Sequence, residues 1–366
     1  MEIDHFSFKQ VELPLKAPFR THQGTVTTRK LIIVEVVDRH GMKGYGEVTA
    51  FETPFYTYET LSTAWHVIKD VLLPALDWSS IEHPSTFAGK TSFVQGHPMA
   101  KAGIEGALWD LYSKRLGKSL SEVIGGGRQR VKAGAVLSLS DSLEEDLSRL
   151  KREGYERFKL KVEKGKELAA VQSVQQIDDS LPIMIDANGQ YSKNDMDHLV
   201  SMDPLGLTMI EQPFQPGDFY LHQQLQQQIS TPICLDESIM NVHDAVQAVQ
   251  FNSCHVINIK ISRVGGLTAA KSIHDYCLHH QIPVWCGGMV ESGISKAHNL
   301  ALASLKNFSI PGDLSSSTRY FERDIISPGI TLENGSIEVP TNPGIGVVVD
   351  EEFLQHVTTQ TYVYSI

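Results

Sequence analysis

From about residue 130 onward, short apolar segments alternate with amphipathic stretches of helical periodicity, and this alternation constrains the fold more than any other feature of the chain. Strands that alternate with helices are typical of βα units around a parallel sheet. Eight such segments over roughly 185 residues suit a (β/α)₈-type barrel better than an open sheet. The candidate strands are VKAGAVLS (131–138), RFKLKV (157–162), PIMIDAN (182–188), LTMIEQP (207–213), PICLDES (232–238), HVINIK (255–260), IPVWCGG (282–288) and FSIPGD (308–313).

The two ends of the chain have other patterns. Residues 1–50 read as a meander of strands, and the periodicity between 57 and 117 is helical, with a helix expected from near Pro98 to Gly117. This opening part predicts a small α+β domain. Near the other end, ITLENGSIEVP predicts a hairpin in which Asn334 and Gly335 form a type I′ turn. We expect the segment that follows, 342–354, to pack back on the first domain.

Composition and charge exclude several classes of protein. The 366 residues carry 32 Lys and Arg against 43 Asp and Glu, a net charge of −11, which argues against a nucleic-acid or membrane surface as partner. The start of the chain lacks the basic and apolar regions of a signal peptide, and the apolar stretch LIIVEVV (31–37) is too short to span a bilayer. The four cysteines lack the spacing of a zinc site or a disulfide framework. We expect a cytoplasmic protein.

One charged residue lies at or near the end of each of five successive candidate strands. They are Lys161, Asp186, Glu211, Asp236 and Lys260. Each follows the previous one by about 25 residues, so all occupy the same register of their βα units. In a barrel these residues would converge on the mouth at the carboxyl ends of the strands, where active sites of this fold lie.

The residue types make chemical sense as a set. Asp186, Glu211 and Asp236 are three hard oxygen ligands, which suit Mg²⁺ or Mn²⁺ and not zinc. Without a cation, three crowded carboxylates would repel one another and favour protonation. A bound dication would accept further oxygens from a substrate carboxylate, with Lys161 and Lys260 on opposite sides of it.

The segment FKLKV (158–162) places Lys159 and Lys161 on the same face of one strand. A lysine serves as a base only if its pKa falls from about 10.4 towards roughly 7–8. A neighbouring ammonium, a dication and partial burial all act in that direction. We therefore expect Lys159 to lower the pKa of Lys161 and to bind a substrate carboxylate oxygen, and Arg263 to act similarly on Lys260. The reaction implied is abstraction of a proton α to a carboxylate.

Simpler explanations exist for each residue taken singly. A carboxylate at a strand end is most often a helix cap or a salt-bridge partner, and we assign Glu237 to that class. Two strand lysines can lie on a solvated edge. A non-catalytic barrel with a structural metal would also use these residues. Five charges in one register, in the order base, acid, acid, acid, base, favour a catalytic site.

These residues also carry a family resemblance. KLK, MIDAN, MIEQP, CLDES and NIK resemble the muconate-lactonizing subgroup of the enolase superfamily. GEVTAFETPFYTYET (46–60), AKAGIEGALWDLYSK (100–114), NIKISRVGGL (258–267) and GGMVESGISKA (287–297) narrow the resemblance to the o-succinylbenzoate synthase / N-acylamino acid racemase family, and the similarity runs nearly end to end.

The resemblance implies a (β/α)₇β barrel, residues 126–320, under an α+β capping domain formed by residues 1–125 and the returning segment 321–366. It also implies Mg²⁺, or Mn²⁺ or another divalent cation, bound by Asp186, Glu211 and Asp236, with Lys161 and Lys260 as the acid/base pair.

The resemblance implies as well where the substrate is recognised. We expect specificity to come from a lid, 18–24 and 51–57, and from residues at strand ends. The candidate substrate-binding or supporting residues are Lys159, Asn188, Ser138, Arg263, Gly288, Met289, Asp313, Phe19 and Phe55. Core packing in the cap is the alternative for Phe19 and Phe55. Related dipeptide epimerases carry D-x-D at the eighth strand, whereas Ser315 follows Asp313 here, which argues against that activity.

The predicted function is therefore that of an o-succinylbenzoate synthase in menaquinone synthesis, with N-succinylamino acid racemase activity as a second capacity. The alternative is a dedicated N-acylamino acid racemase. The two reactions share one intermediate, so the motif residues do not separate them. We expect a small-molecule carboxylate as substrate and a homo-oligomer, with no nucleic acid or membrane partner.

Overall fold

The computed structural model describes residues 1–21, 24–137 and 142–366, with the backbone alone described at 19–21 and 24. The chain opens with three long antiparallel strands followed by helices. These elements are β1 (Ile3–Thr21), β2 (Gly24–Asp38), β3 (Lys43–Val48), α1 (Leu61–His66), α2 (Leu73–Ala75), α3 (Phe87–Lys90), α4 (Pro98–Arg115) and α5 (Leu120–Val123). A π-helical stretch, Val67–Leu72, joins α1 to α2. The helix predicted from Pro98 is confirmed as α4.

The α4 helix packs against β3 at backbone distance. A Cβ atom built at Gly46 would lie 2.1 Å from the carbonyl oxygen of Gly103, and one at Gly44 would lie 2.3 Å from that of Ala107. Only glycine allows such a close approach of helix and strand. The contact fixes α4 between the capping sheet and the rest of the molecule.

A curled parallel sheet makes up the second part. Its strands and the accompanying helices are β4 (Arg130–Lys132), β5 (Ala135–Leu137), α6 (Leu143–Arg152), β6 (Phe158–Lys161), α7 (Glu167–Gln175), β7 (Ile183–Asp186), α8 (Met196–Ser201), β8 (Met209–Glu211), α9 (Phe219–Gln226), β9 (Ile233–Leu235), α10 (Val242–Gln250), β10 (Val256–Ile259), α11 (Leu267–His279), β11 (Val284–Cys286) and α12 (Gly293–Ala303). Seven strands pair in the order β11-β10-β9-β8-β7-β6-β5. The predicted fold class is confirmed.

The predicted eighth strand, 308–313, is wrong as a regular strand. It makes only isolated bridges, Val284 with Phe308 and Ala133 with Gly312. Pro311 has no N–H to donate to a ladder, which interrupts regular pairing. The segment still closes the sheet, because the Asp313 N–H donates to Cys286 and the Gly134 N–H donates to Gly312.

The predicted first strand, 131–138, is divided at Gly134 into β4 and β5. A Cβ at Gly134 would lie 2.1 Å from the Arg157 guanidinium, so the chain needs glycine there. β4 pairs antiparallel with β12 (Ser336–Glu338) outside the barrel sheet. β12 is one arm of the predicted hairpin, and the positive φ angles of Asn334 and Gly335 agree with a type I′ turn.

The last part of the chain returns to the first sheet. After α13 (Glu351–Val357), β13 (Thr358–Ser365) pairs antiparallel with β1, giving the order β13-β1-β2-β3. The predicted return of the C-terminal segment agrees with this pairing, and the exact domain boundaries stay a prediction. Among the described residues, no helix is long and apolar enough to cross a membrane.

Candidate active site

Five neighbouring strands bring the predicted charged residues to one end of the barrel. Lys161 ends β6 and is in register with Asp186, the last residue of β7, which is in register with Glu211 at the end of β8. Asp236 and Lys260 directly follow the last residues of β9 and β10. The strand register therefore places all five residues around one mouth, as the spacing predicts. Their roles in metal binding and catalysis stay predictions.

The faces of the strands also alternate as predicted. Met184, Met209, Cys234, Val256 and Trp285 form a separate apolar cluster inside the sheet. Asp186, Glu211 and Asp236 lie two positions further along the same faces and Lys260 lies four, so this cluster is the floor of the site. The opposite faces bury aliphatic side chains against the surrounding helices.

Lys159 is buried and surrounded by carboxylates. Its Nζ lies 2.6 Å from Asp313 Oδ2, 3.3 Å from Glu211 Oε2 and 3.5 Å from Asp186 Oδ2. Burial alone would lower the pKa of Lys159, but the three carboxylates outweigh it and hold that pKa well above its ordinary value. Lys159 is thus a fixed cation inside the cluster. Lys161, two residues on, is exposed at the mouth.

Asp313 also binds a second cation, Arg157. Arg157 donates from Nη2 to Asp313 Oδ1 at 2.6 Å, and its guanidinium lies 4.9 Å from the Trp285 ring centroid. Burial would raise the pKa of Asp313, but Lys159 and Arg157 hold it well below its usual range. Asp313 was predicted to line the substrate pocket. In the structure its Oδ2 accepts from Lys159 and its Oδ1 accepts from Arg157, and contact with a substrate stays a prediction.

On the other side of the mouth, Asp236 lies between two cations. Lys260 Nζ donates to Asp236 Oδ2 at 2.8 Å, and Arg263 Nη1 donates to Asp236 Oδ1. Against the raising effect of burial, Arg263 and Lys260 lower the pKa of Asp236 to about 2. Burial would lower the pKa of Lys260, yet Asp236 and Tyr56 keep it above its ordinary value. The expected lowering by Arg263 is present but is outweighed.

Tyr56 joins this pair from the cap. Lys260 Nζ and Arg263 Nη1 both donate to its hydroxyl oxygen, each at 3.0 Å. Lys260 Nζ also lies 4.9 Å from the centroid of the Tyr56 ring, a cation–π distance. The 51–57 segment of the predicted lid therefore reaches the barrel mouth through Tyr56.

The carboxylates repel one another when only protein groups face them. Burial raises the pKa of Glu211 to about 8, an effect that Lys159 opposes and that Asp186 and Asp236 reinforce. Burial, with the charges of Asp236 and Asp186, also raises the pKa of Glu237 to about 7. Such crowding favours a cation among the carboxylates.

Glu237 adds an orphaned oxygen. Asn188 Nδ2 donates to its Oε1 at 3.1 Å, whereas its Oε2 is buried and has no hydrogen-bond partner among the described residues. Glu237 was predicted to be a cap or salt-bridge partner. The structure shows a half-buried carboxylate beside Asp236, one oxygen of which accepts from Asn188.

The donor set fits a hard divalent cation. Carboxylate oxygens from three adjacent strands, with a further half-buried carboxylate beside them, are the ligand chemistry of such ions. In the part of the chain that the structure describes, no three His, Cys, Asp or Glu side chains are yet arranged so that together they could hold a metal ion. Lys159 lies between Asp186 and Glu211, and Asp236 is shared by Lys260 and Arg263. Lysine and arginine side chains thus neutralise part of the negative charge of these carboxylates.

The remaining predicted residues differ in what the structure says of them. Gly288 lies against Asp313, and Met289 is buried in the core of the cap. Phe55 packs on Phe51 with ring centroids 4.6 Å apart, which agrees with the core-packing alternative. Ser138 lies outside the described residues, and only the backbone of Phe19 is described. Their substrate contacts stay predictions.

Sequence reasoning missed three residues that shape the site. Arg157 and Asn258 lie on the interior faces of their strands, and the alternation that found Lys159 and Lys260 would have found them too. Asn258 Nδ2 donates to Glu211 Oε1 at 3.1 Å. Tyr56 lies within the predicted lid 51–57, but the sequence analysis assigns it no contact with the catalytic lysines. No signal in the sequence distinguishes it from the other aromatic residues of the lid.

Comparisons with known proteins agree with this architecture. Residues 5–125 match the N-terminal domain of the mandelate racemase / muconate lactonizing enzyme family, and residues 142–353 match the enolase C-terminal domain-like family. A Bacillus subtilis protein named o-succinylbenzoate synthase is 43% identical over 100% of this chain and 99% of its own length. An Amycolatopsis protein named N-succinylamino acid racemase is 38% identical over 98% of both chains. The crystal structure of an enolase superfamily member from Listeria innocua superposes with a TM-score of 0.96 at 41% identity, covering 100% of this chain and 99% of that one.

Proposed function

We propose a function from the premise that the chain belongs to the enolase superfamily, as a member with both domains of the mandelate racemase / muconate lactonizing enzyme group. The protein is an o-succinylbenzoate synthase. It eliminates water from 2-succinyl-6-hydroxy-2,4-cyclohexadiene-1-carboxylate through an enediolate, in menaquinone biosynthesis. The full-length similarity to synthases supports this assignment. The observation that carries it is the placement of Lys161 and Lys260 on β6 and after β10, on either side of the carboxylate cluster.

Each lysine has a distinct part in the reaction. Lys161, exposed at the mouth, removes the α-proton as a neutral amine and then returns a proton to the leaving hydroxyl on the same face, so that water departs and the amine is regenerated. Lys260 remains an ammonium, paired with Asp236, and stabilises the negative charge of the enediolate. Lys159 holds Asp186 and Glu211 together, and Asp313 fixes Lys159.

Enzymes of this superfamily use a divalent metal ion. We propose Mg²⁺ for this protein, with Mn²⁺ or another divalent cation as a substitute, held by Asp186, Glu211 and Asp236. When bound, it supplies a positive charge that stabilises the growing negative charge on the substrate carboxylate. Asn188 and Glu237 support the cluster from the neighbouring strand ends.

A second candidate activity is racemisation of N-succinyl amino acids. It is favoured by the 38% identity with the Amycolatopsis protein of that name. Here Lys161 and Lys260 would act as bases on opposite faces of the same α-carbon. Arg263 and Tyr56, which share Asp236 and Lys260, are placed to influence the second base.

The decisive experiment compares kcat/KM for the cyclohexadiene substrate with kcat/KM for N-succinyl amino acids, with Mg²⁺ present. We expect the dehydration to be the more efficient reaction and the racemisation to be measurable. A clear preference for N-succinyl amino acids would instead identify a dedicated racemase. Failure to turn over either substrate would contradict both assignments.

The location, assembly and partners of the enzyme are proposed as well. We propose that it acts in the cytoplasm as a homo-oligomer, on a small-molecule carboxylate and without nucleic-acid or membrane partners. The negative net charge of −11 supports the absence of an anionic polymer as partner. The predicted residue ranges 1–125, 126–320 and 321–366 are proposed as its structural units.

A further inference from the structure

The loop between β11 and α12 carries a strained residue at the edge of the active site. We refer to residues 287–292 as the 287–292 loop. Val290 within it has a φ of 57°, in the left-handed region. That conformation is a genuine outlier for a β-branched residue and persists only where the surroundings enforce it. Something must therefore hold this loop.

Arg29 of the capping sheet holds the loop from its carbonyl side. Its Nε donates to the Val290 carbonyl at 3.2 Å, and its Nη2 donates to the Met289 carbonyl at 3.5 Å. The same guanidinium donates to Ala50 at 2.9 Å and lies 4.1 Å from the Phe51 ring centroid. Arg29 is 1% exposed, so its position is fixed by these contacts.

Glu47 of β3 holds the loop from its amide side. Its Oε1 accepts from the Ser292 N–H at 3.1 Å, and its Oε2 accepts from the Ser292 hydroxyl and, at 3.2 Å, from the Ser295 N–H. Ser292 is the N-cap residue of α12, so Glu47 also caps that helix from the other domain. The Arg29 guanidinium on the carbonyls and the Glu47 carboxyl group on the N–H and hydroxyl donors thus hold the loop at both ends.

The 287–292 loop contacts both Lys260 and the segment at Asp313, on the two sides of the mouth. A Cβ at Gly287 would lie 2.6 Å from Lys260 Cε, and a Cβ at Gly288 would lie 2.8 Å from the Asp313 carbonyl oxygen. The backbone of the loop therefore packs directly on the lysine stem and on the segment that fixes Lys159. A displacement of the loop would displace the Lys260 ammonium.

We propose that Arg29 and Glu47 are positioning residues, which hold the 287–292 loop in its strained conformation and thereby place Lys260 for the reaction. The cap thus sets the geometry of a catalytic side chain on the barrel in addition to covering the site. The effect expected on kcat rests on the proposed function. The effect expected on amide hydrogen exchange in the loop does not rest on it.

The first test replaces Glu47 by Gln. A Gln side chain keeps one acceptor oxygen and would turn an NH₂ group towards the N–H donors that Glu47 now accepts. We expect kcat for dehydration to fall about 10- to 100-fold with a smaller change in KM, because a misplaced Lys260 weakens stabilisation of the transition state more than binding. Amide hydrogen exchange of residues 288–296, followed by mass spectrometry, should become faster.

Glu35→Gln is the matched control. Glu35 is also a buried carboxylate of the capping sheet, but its ion pairs are with Lys9 and Lys43, away from the loop. Equal losses of kcat in the two variants, or unchanged exchange of residues 288–296 in Glu47→Gln, would overturn the proposal. If the wild-type protein turns over neither substrate, the proposed function fails and the exchange measurement alone decides the role of the pair.

A second variant remains informative if Glu47→Gln folds poorly. Arg29→Lys keeps the charge but loses the fork that reaches two carbonyls, and we expect a similar fall in kcat. Adding Val290→Gly should restore kcat to within about threefold of wild type, because glycine adopts a positive φ without strain. A double variant no more active than Arg29→Lys would contradict the positioning role, since a purely structural loss would not be repaired by a second substitution.

Discussion

Lys260 and Tyr56 meet across the boundary between barrel and cap, with 3.0 Å between the ammonium Nζ and the phenolic oxygen. On its other side, Lys260 is 2.8 Å from Asp236 Oδ2. This environment favours a charged Lys260, as the proposed dehydration needs. Lys161 is exposed at the opposite side of the mouth. The two lysines are therefore not equivalent, and their substitutions should have different effects.

Alanine substitutions of the two lysines should separate their roles. In D₂O, Lys260→Ala should still exchange the α-proton of one enantiomer of an N-succinyl amino acid, and Lys161→Ala only that of the other, because each variant retains one base. For dehydration, Lys161→Ala should lose at least about 10³-fold in kcat, since general acid–base catalysis contributes about 10²–10⁴. Exchange is followed by NMR. Exchange of both enantiomers by either variant would contradict the assignment.

Arg263→Gln should affect racemisation more than dehydration. Arg263 shares Asp236 with Lys260, and without it the carboxylate would hold the Lys260 ammonium more strongly. Deprotonation of Lys260 is needed only for racemisation. A rise of about one unit in the pKa of Lys260 would therefore lower the rate of racemisation about tenfold more than the rate of dehydration. The measurement is kcat/KM for both substrates. A reduction by the same factor in both reactions would show that Arg263 does not serve Lys260 selectively.

Removal of divalent metal should leave the protein folded and inactive. The carboxylates of the mouth already face buried cations such as Lys159 and Arg263, so the fold does not depend on an added ion for charge balance. We expect EDTA to abolish dehydration while far-UV circular dichroism is unchanged, and Mg²⁺ to restore activity. Added Mg²⁺ at 100 times its Kd should raise the free energy of unfolding by about 2.7 kcal/mol. Collapse of the circular dichroism signal in EDTA would instead indicate a structural metal.

Stability should fall in mild acid through His222. This ring is fully buried, donates from Nδ1 to the Asp218 carbonyl and accepts the Phe214 N–H at Nε2. Burial lowers its pKa from 6.5 to about 4. The unfolded chain takes up a proton below pH 6.5 and the folded protein does not. The free energy of unfolding should therefore fall by up to about 1.4 kcal/mol per pH unit, about 3 kcal/mol in total by pH 4.

The variant His222→Gln lacks this titration. Urea unfolding of both proteins between pH 7 and pH 4.5 should show the wild type losing more stability than the variant over that range. Parallel pH dependences of the two proteins would mean that His222 is not held neutral in the folded state.

The register of the site was predictable because a strand has a fixed period of two and a βα unit has a nearly fixed length. Those two regularities placed Lys161, Asp186, Glu211, Asp236 and Lys260 at one mouth from the sequence alone. They depend on backbone geometry, which local sequence determines. The helix beginning at Pro98 and the turn at Asn334 were predictable for the same reason.

Contacts between distant segments were not predictable in this way. Tyr56 reaches Lys260 from a segment 204 positions earlier, and nothing in its neighbours distinguishes it from Phe55. The engagement of Lys159 by Asp313 likewise depends on how the sheet closes. The predicted eighth strand failed because Pro311 interrupts pairing in a segment whose apolar pattern still resembles a strand.

The pairing of β13 with β1 has a consequence for how the protein matures. Residues 358–365 complete the capping sheet, whose other strands lie within the first 48 residues. The barrel is therefore synthesised after β1, β2 and β3 and before β13. A nascent chain on the ribosome would hold β1 with one side unpaired until residues 358–365 have emerged. Barrel assembly can therefore precede completion of the capping sheet, and the free edge of β1 is closed only after the barrel segments have been made.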